Sequence, residues 1–364
     1  MSAHPASILE IDLDAIAANW NSLRARLRRG CEAAAVVKAD AYGVGMAQVA
    51  PRLWAAGCRL YFVADADEGL RLRALLPKAR IAVLHGADAA AARDLAAGRL
   101  IPVLNHLGQI ALWREMGRGK PAMLHLDTGM SRLGLPSGEA AQLAREPALL
   151  HGLRLAGVMS HLTSASDIGG KVNRMQLDAF RILLKSLPPA PASLATSSGI
   201  FLGAAYHFDF VRPGAALYGA NPLPDNINPM RQAIKLKAKI IQTRDIGRDA
   251  AIGYDGTFRM KRSGRIATLA MGYADGWLRA ASNRASVGFG GQRAPIVGRI
   301  SMDLITVDVT GIDPGRTQPG AYADLLDDEY GIDHFARDAG TIAYEVLTQL
   351  AGRHHRVYRT AKHA

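Results

Sequence analysis

Residues 33–45 read AAAVVKADAYGVG, in which small apolar residues lead into Lys38 and a turn-forming stretch then returns twice to glycine. A lysine placed after so apolar a run either sits at the mouth of a buried strand with its head group reaching for water, or is held there for its amine. In the second case desolvation makes the ammonium give up its proton readily, and Lys38 becomes a Schiff-base former or a proton base. Other apolar runs also close on chemically useful residues. HLDTGMSRLG presents His125, Asp127 and Arg132; MSHLTSAS presents His161; ATSSG contains Ser197; FVRPGAALYG presents Arg212. Singly, each is equally well a helix cap or half of an ion pair. Brought to one face, they would make a pocket for an anionic, carbonyl-bearing ligand.

Whether they converge depends on the elements that carry them. Strand-like runs lie at 33–38, 59–64, 80–85, 101–104, 121–126, 155–160, 193–196 and 208–217. Between most of them are stretches with apolar residues at helical spacing, such as AQVAPRLWAAG, DEGLRLRALL and KVNRMQLDAFRILLKSL. Eight strand–helix units predict a (β/α)8 TIM barrel, whose chemistry sits at the carboxyl ends of the strands, where these residues fall. An open doubly wound sheet usually carries fewer strands. After about residue 230 the texture becomes closely spaced β-like runs (IKLKAKIIQTRDI, RIATLAMGYA, DLITVDVTG), with helical patterning again only at 332–351. The expected division is therefore a barrel over 1–230 and a mainly β domain over 231–364, with the first ten or so residues packing against the β domain.

Composition excludes several classes. With 364 residues, 49% hydrophobic and 21% charged, the chain can bury a sizeable core. Its amino terminus has no basic region leading into a long apolar stretch, and no segment reaches the length of a membrane span, so a soluble, unexported protein without membrane partners is expected. Cys31 and Cys58 make no disulfide framework and lack metal-ligand spacing with histidine, so no metal is expected. The net charge of +12 raises the question of nucleic acid, but its arginines are dispersed, with little aromatic interleaving. A solvated basic surface is the better reading, and no nucleic-acid partner is expected. Two local motifs mislead. Asp127-Thr128-Gly129 matches the aspartic-protease triplet but ends a strand of an α/β region, and the runs GFGGQR and GVGMAQ do not complete a dinucleotide fingerprint.

Taken together, VVKADAYGVG (36–45), LDTGMSRLG (126–134), VMSHLTSAS (158–166), VRPGAALYG (211–219), IGYDGTF (252–258), GYADG (272–276) and GRISMD (298–303) resemble, in order, the motifs of the alanine racemase family. The resemblance spans essentially the whole chain. It implies a pyridoxal 5'-phosphate enzyme of the barrel-plus-β-domain type, cytoplasmic and homodimeric with shared active sites. Such an enzyme interconverts the two enantiomers of a small amino acid, alanine, and supplies D-alanine for peptidoglycan. Lys38 would carry the cofactor and act as one base at the substrate's Cα. Tyr254, by itself only a turn tyrosine in GYDG, would be the second base and reach in from a partner subunit. Two bases flanking a planar carbanion are a natural solution for moving a proton from one face to the other.

The same resemblance implies that Arg212 bonds the pyridine nitrogen. Because a guanidinium does not surrender its proton, the ring stays largely unprotonated and side reactions are suppressed. Arg132 and the backbone of Met302 would hold the substrate carboxylate. Tyr42, Ser197, Gly214 and Ala215 would bind the phosphate, and His161 would lie beside the ring. His125, Tyr273 and Asp303 would support these residues. The chain also departs from the family pattern. His125 stands where many members have a lysine whose carbamate steadies the arginine equivalent to Arg132, so the support must differ. Thr196 stands where asparagine is frequent, and Gly352 where some members place a phosphate-binding tyrosine, leaving a looser site or one completed by Tyr358. The alternatives are a broader amino-acid racemase, a decarboxylase on the same architecture, which Arg212 disfavours, and a non-catalytic pyridoxal phosphate carrier, which the β domain disfavours.

Overall fold

In the computed structural model, residues 5–350 and 352–360 are described. After β1 (Ser7–Asp12), the side chain of Asp12 caps α1 (Leu13–Ala25), accepting from the N–H groups of Asp14 and Ala15. The chain then enters β2 (Glu32–Ala33) and β3 (Ala35–Val36). From β3 a seven-stranded parallel sheet continues through β4 (Leu60–Val63), β5 (Arg80–Val83), β6 (Ile101–Leu104), β7 (Pro121–His125), β8 (Arg154–Met159) and β9 (Ala192–Ser193). Closure comes from β10 (Phe210–Val211). It pairs parallel with β2 on one side, while Asp209 N and Arg212 N donate to Ala192 O and Ala195 O on the other, both at 2.9 Å. With β2 and β3 sharing one strand position, the result is the (β/α)8 barrel that the alternation predicted. Every residue of β4 and β6 is buried, as expected where helices cover the outside of a parallel sheet.

Strands nine and ten are shorter than the apolar runs at 193–196 and 208–217 suggested. Pro213 cannot donate to a ladder, and beyond Gly214 the chain coils into a 3-10 turn, Ala215–Tyr218. After β3 comes a single turn, α2 (Lys38–Tyr42), and the outer helices are α3 (Met46–Ala55), α4 (Ala66–Leu75), α5 (Ala92–Ala97), α6 (Leu107–Met116), α7 (Ser137–Arg145) and α8 (Lys171–Lys185). The helical pattern at 332–351 divides into α9 (Ile332–Ala339) and α10 (Ala343–Gln349), because Gly340 closes the first helix in the left-handed region at φ 72°.

The second sheet is built on β11 (Ile234–Ile246), whose first half alternates buried and half-buried residues. That half pairs with β1 and with β18 (Tyr322–Leu326), and β1 in turn lies parallel to β19 (His355–Arg359). The second half of β11 pairs with β14 (Gly264–Ala270), which pairs with β17 (Leu304–Asp308). Between them come the hairpin of β12 (Ala251–Ile252) with β13 (Phe258–Arg259), and that of β15 (Ser286–Phe289) with β16 (Gln292–Pro295). A small separate core of Ile252, Met260, Ile266 and Val297 lies under the first hairpin, which carries Tyr254 at its tip. The main core is continuous from the barrel into this region. Within it the fully buried Trp277 stacks on Phe335 of α9, ring centroids 3.7 Å apart. Trp277→Ala should destabilise the fold by about 3–5 kcal/mol, read as a lower urea midpoint; an unchanged midpoint would show that the stacked pair contributes little.

Candidate active site

Lys38 opens a turn of unusual hand. Ala39, Asp40, Ala41 and Tyr42 all have φ between 53° and 56°, left-handed backbone that costs an L-residue about 1–2 kcal/mol each. Such a turn persists only where its surroundings hold it. Its backbone bonds run from Ala41 N to Val37 O (2.9 Å), Gly43 N to Ala39 O (2.7 Å) and Gly45 N to Asp40 O (2.9 Å). The Asp40 side chain accepts from Met46 N at 2.8 Å, and β19 adds Arg356, which donates to Gly43 O at 2.7 Å. Lys38 and Tyr42, at the two ends of the turn, thereby line the same cavity of about 410 Å³.

Val36, Phe62, Leu84 and Met159 form its apolar wall. Its polar lining comes from other strand ends: Arg132 after β7, His161 after β8, Ser197 after β9, and Arg212, Gly214 and Ala215 after β10. Asp127, of the protease-like triplet, spends its carboxylate on its own loop, accepting from Gly129 N, Met130 N and Ser131 N at 2.8–3.0 Å. It therefore shapes the segment that presents Arg132. Gly214 has a steric reason: a Cβ there would come within 2.3 Å of the Tyr42 hydroxyl. Its N–H donates to Ser197 Oγ at 3.0 Å, tying the two phosphate-site candidates together.

The electrostatics of this cavity are weighted toward positive charge, with Lys38, Arg132 and Arg212 lining it against the carboxylate of Glu345. Arg212 is fully enclosed, donating to the Ser193 hydroxyl and, at 2.6 Å, to Ser160 O, while no carboxylate pairs with it among the described residues. Burial pushes its pKa down to about 9, so the guanidinium remains charged at neutral pH. Burial and the Arg132 charge together lower the Lys38 amine, against an upward pull from Glu68. Burial and then Arg212 drive His161 down to about 3 and His125 to about 4. The tautomer of His125 follows from its neighbour. Asn105 Nδ2 donates to Leu84 O (3.1 Å) and Val103 O (2.8 Å), so its Oδ1 accepts, and His125 Nδ1, 2.9 Å away, must carry the hydrogen.

Four residues of the expected site lie elsewhere in the single chain. Tyr254, Met302 and Tyr273 are exposed by 69%, 54% and 44%, on the outer face of the β domain. Tyr254 lines a shallow cavity there with Ile241, Arg299, Ser301 and Leu304. Asp303 pairs with Arg353 at 2.6 Å. The Tyr358 hydroxyl donates to Val44 O at 3.0 Å and does not line the Lys38 cavity, so it does not stand in for the tyrosine missing at Gly352. Tyr344 and Thr348 of α10 reach that cavity instead. Sequence reading passed over both, although their i,i+4 spacing puts them on one helix face. It also missed Asn105 and Glu68, whose only signals were an asparagine closing an apolar run and a D-x-x-E pattern that reads as a helix cap.

A half-buried lysine, two arginines that pair with no carboxylate among the described residues, and hydroxyls around a partly apolar slot suit an aromatic aldehyde bearing a phosphate. The donor set fits pyridoxal phosphate, and with the barrel and β domain it defines a cofactor-dependent barrel enzyme of that class. Sequence profiles of "Alanine racemase, N-terminal domain" and "Alanine racemase, C-terminal domain" match residues 11–222 and 233–358. An alanine racemase of Acidiphilium cryptum is 48% identical over 98% of this chain and 99% of its own length. One of Mesorhizobium japonicum, named as catabolic, is 44% identical over 98% and 94%. Among solved structures, alanine racemase from Bartonella henselae with covalently bound pyridoxal phosphate superposes with a TM-score of 0.93 at 39% identity, covering 97% of this chain and 99% of that one. The chain belongs to the alanine racemase family.

The two histidines make a pH prediction. An unfolded histidine takes up its proton near pH 6.5, whereas folded His125 waits until about 4 and His161 until about 3. Between those values the unfolded chain binds more protons, so stability should fall as pH drops from about 6.5 toward 4. His125→Gln should flatten that slope in urea titrations at several pH values. A slope identical to that of the parent chain would contradict the assignment.

Proposed function

We propose that this chain interconverts L- and D-alanine with pyridoxal phosphate on Lys38, and that its active site is completed by a second copy. The observation that carries the reading is a division of residues. Lys38, Tyr42, Arg132, His161, Ser197, Arg212, Gly214 and Ala215 share one cavity, while Tyr254 and Met302 stand on an exposed apolar face of the same chain. Bound pyridoxal phosphate supplies the electron sink that lets an amino acid give up its Cα proton. On this reading Arg212 faces the pyridine nitrogen and leaves it unprotonated, with His161 beside the ring. Tyr42, Ser197 and the backbone at Gly214 and Ala215 take the phosphate, and Arg132 with the backbone of Met302 of the partner subunit holds the substrate carboxylate. Lys38 serves one face of Cα and Tyr254 of the partner subunit the other, each moving the proton its counterpart cannot reach.

His125, Tyr273 and Asp303 act in support. His125 does so through the Asn105 bond, in place of a carbamate. The barrel over 1–230 and the β domain over 231–364 are the working units, and covering the mouth of one barrel with a neighbour's β domain keeps water from a reactive carbanion. Exposed Ile241, Tyr254, Met302 and Leu304 favour such a covered face. We place the enzyme in the cytoplasm, supplying D-alanine for peptidoglycan; Cys31 and Cys58 are free thiols, in keeping with a reducing compartment.

Borohydride reduction followed by peptide mapping should put the cofactor on Lys38, and a label on another lysine would overturn the assignment. Mixing Lys38→Ala chains with Tyr254→Phe chains tests the shared site. Each is inactive alone by roughly 10²–10⁴-fold or more, and the mixture should regain activity because one site in each mixed dimer holds both intact bases. A mixture that stays inactive although heterodimers form, or a verified monomer with full activity, would exclude it.

A further inference from the structure

The ladder between β3 and β4 is short. Ala35 pairs with Tyr61 and Val36 with Phe62, and a last backbone bond runs from Val37 N to Phe62 O at 2.9 Å. Beyond it the two strands part, one into the left-handed turn after Lys38 and the other toward α4. Two N–H groups face the gap, those of Ala39 and Ala64, and one side chain takes both. Glu68 Oε1 accepts from Ala39 N at 2.6 Å, and Oε2 accepts from Ala64 N at 2.8 Å. This carboxylate is only 7% exposed and pairs with no lysine or arginine within salt-bridge distance among the described residues. It lies in the first turn of α4, where the helix dipole favours negative charge. In a capping box the glutamate of D-x-x-E would reach back to the backbone of the cap residue. Here Asp65 Oδ1 does accept from Glu68 N, but the Glu68 side chain goes to the neighbouring strand end instead.

We propose that Glu68 is a positioning residue for Lys38: its carboxylate clips the peptide that follows the lysine to the end of β4, and so sets the direction from which the amine enters the cavity. The proposal rests on the reading that Lys38 carries the cofactor. Both oxygens are needed, because the two N–H groups belong to strand ends with no other bond between them at this level. A glutamine offers one acceptor oxygen and turns its NH2 toward an N–H, leaving one buried donor unsatisfied. The clip also acts through charge. Around the Lys38 amine, burial and Arg132 favour the neutral form and Glu68 favours the protonated one, with His161, Arg212, Tyr42, Tyr344 and Glu345 lining the same cavity.

The test compares holoenzymes of the parent chain, Glu68→Gln, Glu68→Asp and Asp65→Ala. Asp65→Ala weakens the start of the same helix while leaving the Ala39 and Ala64 bonds in place. Readouts are the lysine labelled by borohydride, the pH midpoint of the visible cofactor band, kcat and KM separately, and Tm. Glu68→Gln should keep the label on Lys38, lower the pH midpoint by about half a unit or more, and reduce kcat at least about 10-fold with little change in KM. Glu68→Asp keeps the charge but is too short to span both N–H groups, so it should retain the midpoint and still lose kcat; it carries the test if Glu68→Gln does not fold. Asp65→Ala should lower Tm without moving midpoint or kcat. A Glu68→Gln enzyme labelled on Lys38 with parental midpoint and kcat overturns this proposal alone, as does an Asp65→Ala enzyme that shifts as far as Glu68→Gln. A label on a different lysine overturns the Lys38 reading and the proposal with it.

Discussion

The left-handed turn at residues 39–42 is the constraint to which the rest of the site answers. None of its residues is glycine, so the chain gains nothing locally from adopting that hand, and the conformation costs about 1–2 kcal/mol per residue. Hydrogen bonds of about 1 kcal/mol net each can offset this only if several converge. They come from three directions: Val37 within the segment, Glu68 from the next barrel unit, and Arg356 and Tyr358 from the last described strand of the β domain. Lys38 and Tyr42, at the two ends of the turn, both line the one cavity. The β domain thus braces the left-handed turn of its own chain through β19, quite apart from what its exposed face offers a neighbour.

The second organising fact is a deficit of negative charge. Lys38, Arg132 and Arg212 line the cavity against one lining carboxylate, Glu345, and Arg212 bonds to a hydroxyl and a carbonyl where a carboxylate would usually be found. Both His125 and His161 stay neutral, first because burial disfavours the charged ring and then because Arg212 stands close by. An anionic ligand supplies the missing charge, so binding and folding are coupled and the loaded protein is the more stable one. The high net charge of the chain therefore has a local counterpart, in a slot suited to a small phosphorylated anion.

Much of the barrel was legible because strand–helix alternation is a strong periodic signal, and the rule that barrel chemistry gathers at strand ends sorted Lys38, Arg132, His161 and Arg212 correctly onto one cavity. What escaped notice was whatever depends on side-chain direction across elements. Asn105 and Glu68 sit in ordinary sequence contexts, and their partners, His125 and Ala39, lie 20 and 29 residues away. The hand of the turn was equally invisible, since ADAY carries no residue that favours positive φ strongly enough to announce four in succession. Tyr358 stood open as a substitute at the phosphate site, but as part of β19 its hydroxyl bonds to Val44 O. Conversely, Tyr344 and Thr348 belong to a helix whose docking against the barrel mouth no periodicity could reveal.

The placement of β1 has a consequence for how the chain is made. Ser7–Asp12 pairs with Ile234–Ile246 on one side and with His355–Arg359 on the other, and Ser7 Oγ bonds His354 Nδ1 at 2.8 Å across 347 positions. On a ribosome the first strand emerges with neither partner yet synthesised. The barrel between them can collect its own strands in order, while that strand waits as an unsatisfied edge. Its other neighbour, which also brings Arg356 to the left-handed turn, follows the whole barrel in sequence. The bond from Arg356 that braces the left-handed turn can therefore form only after all the barrel strands have been made.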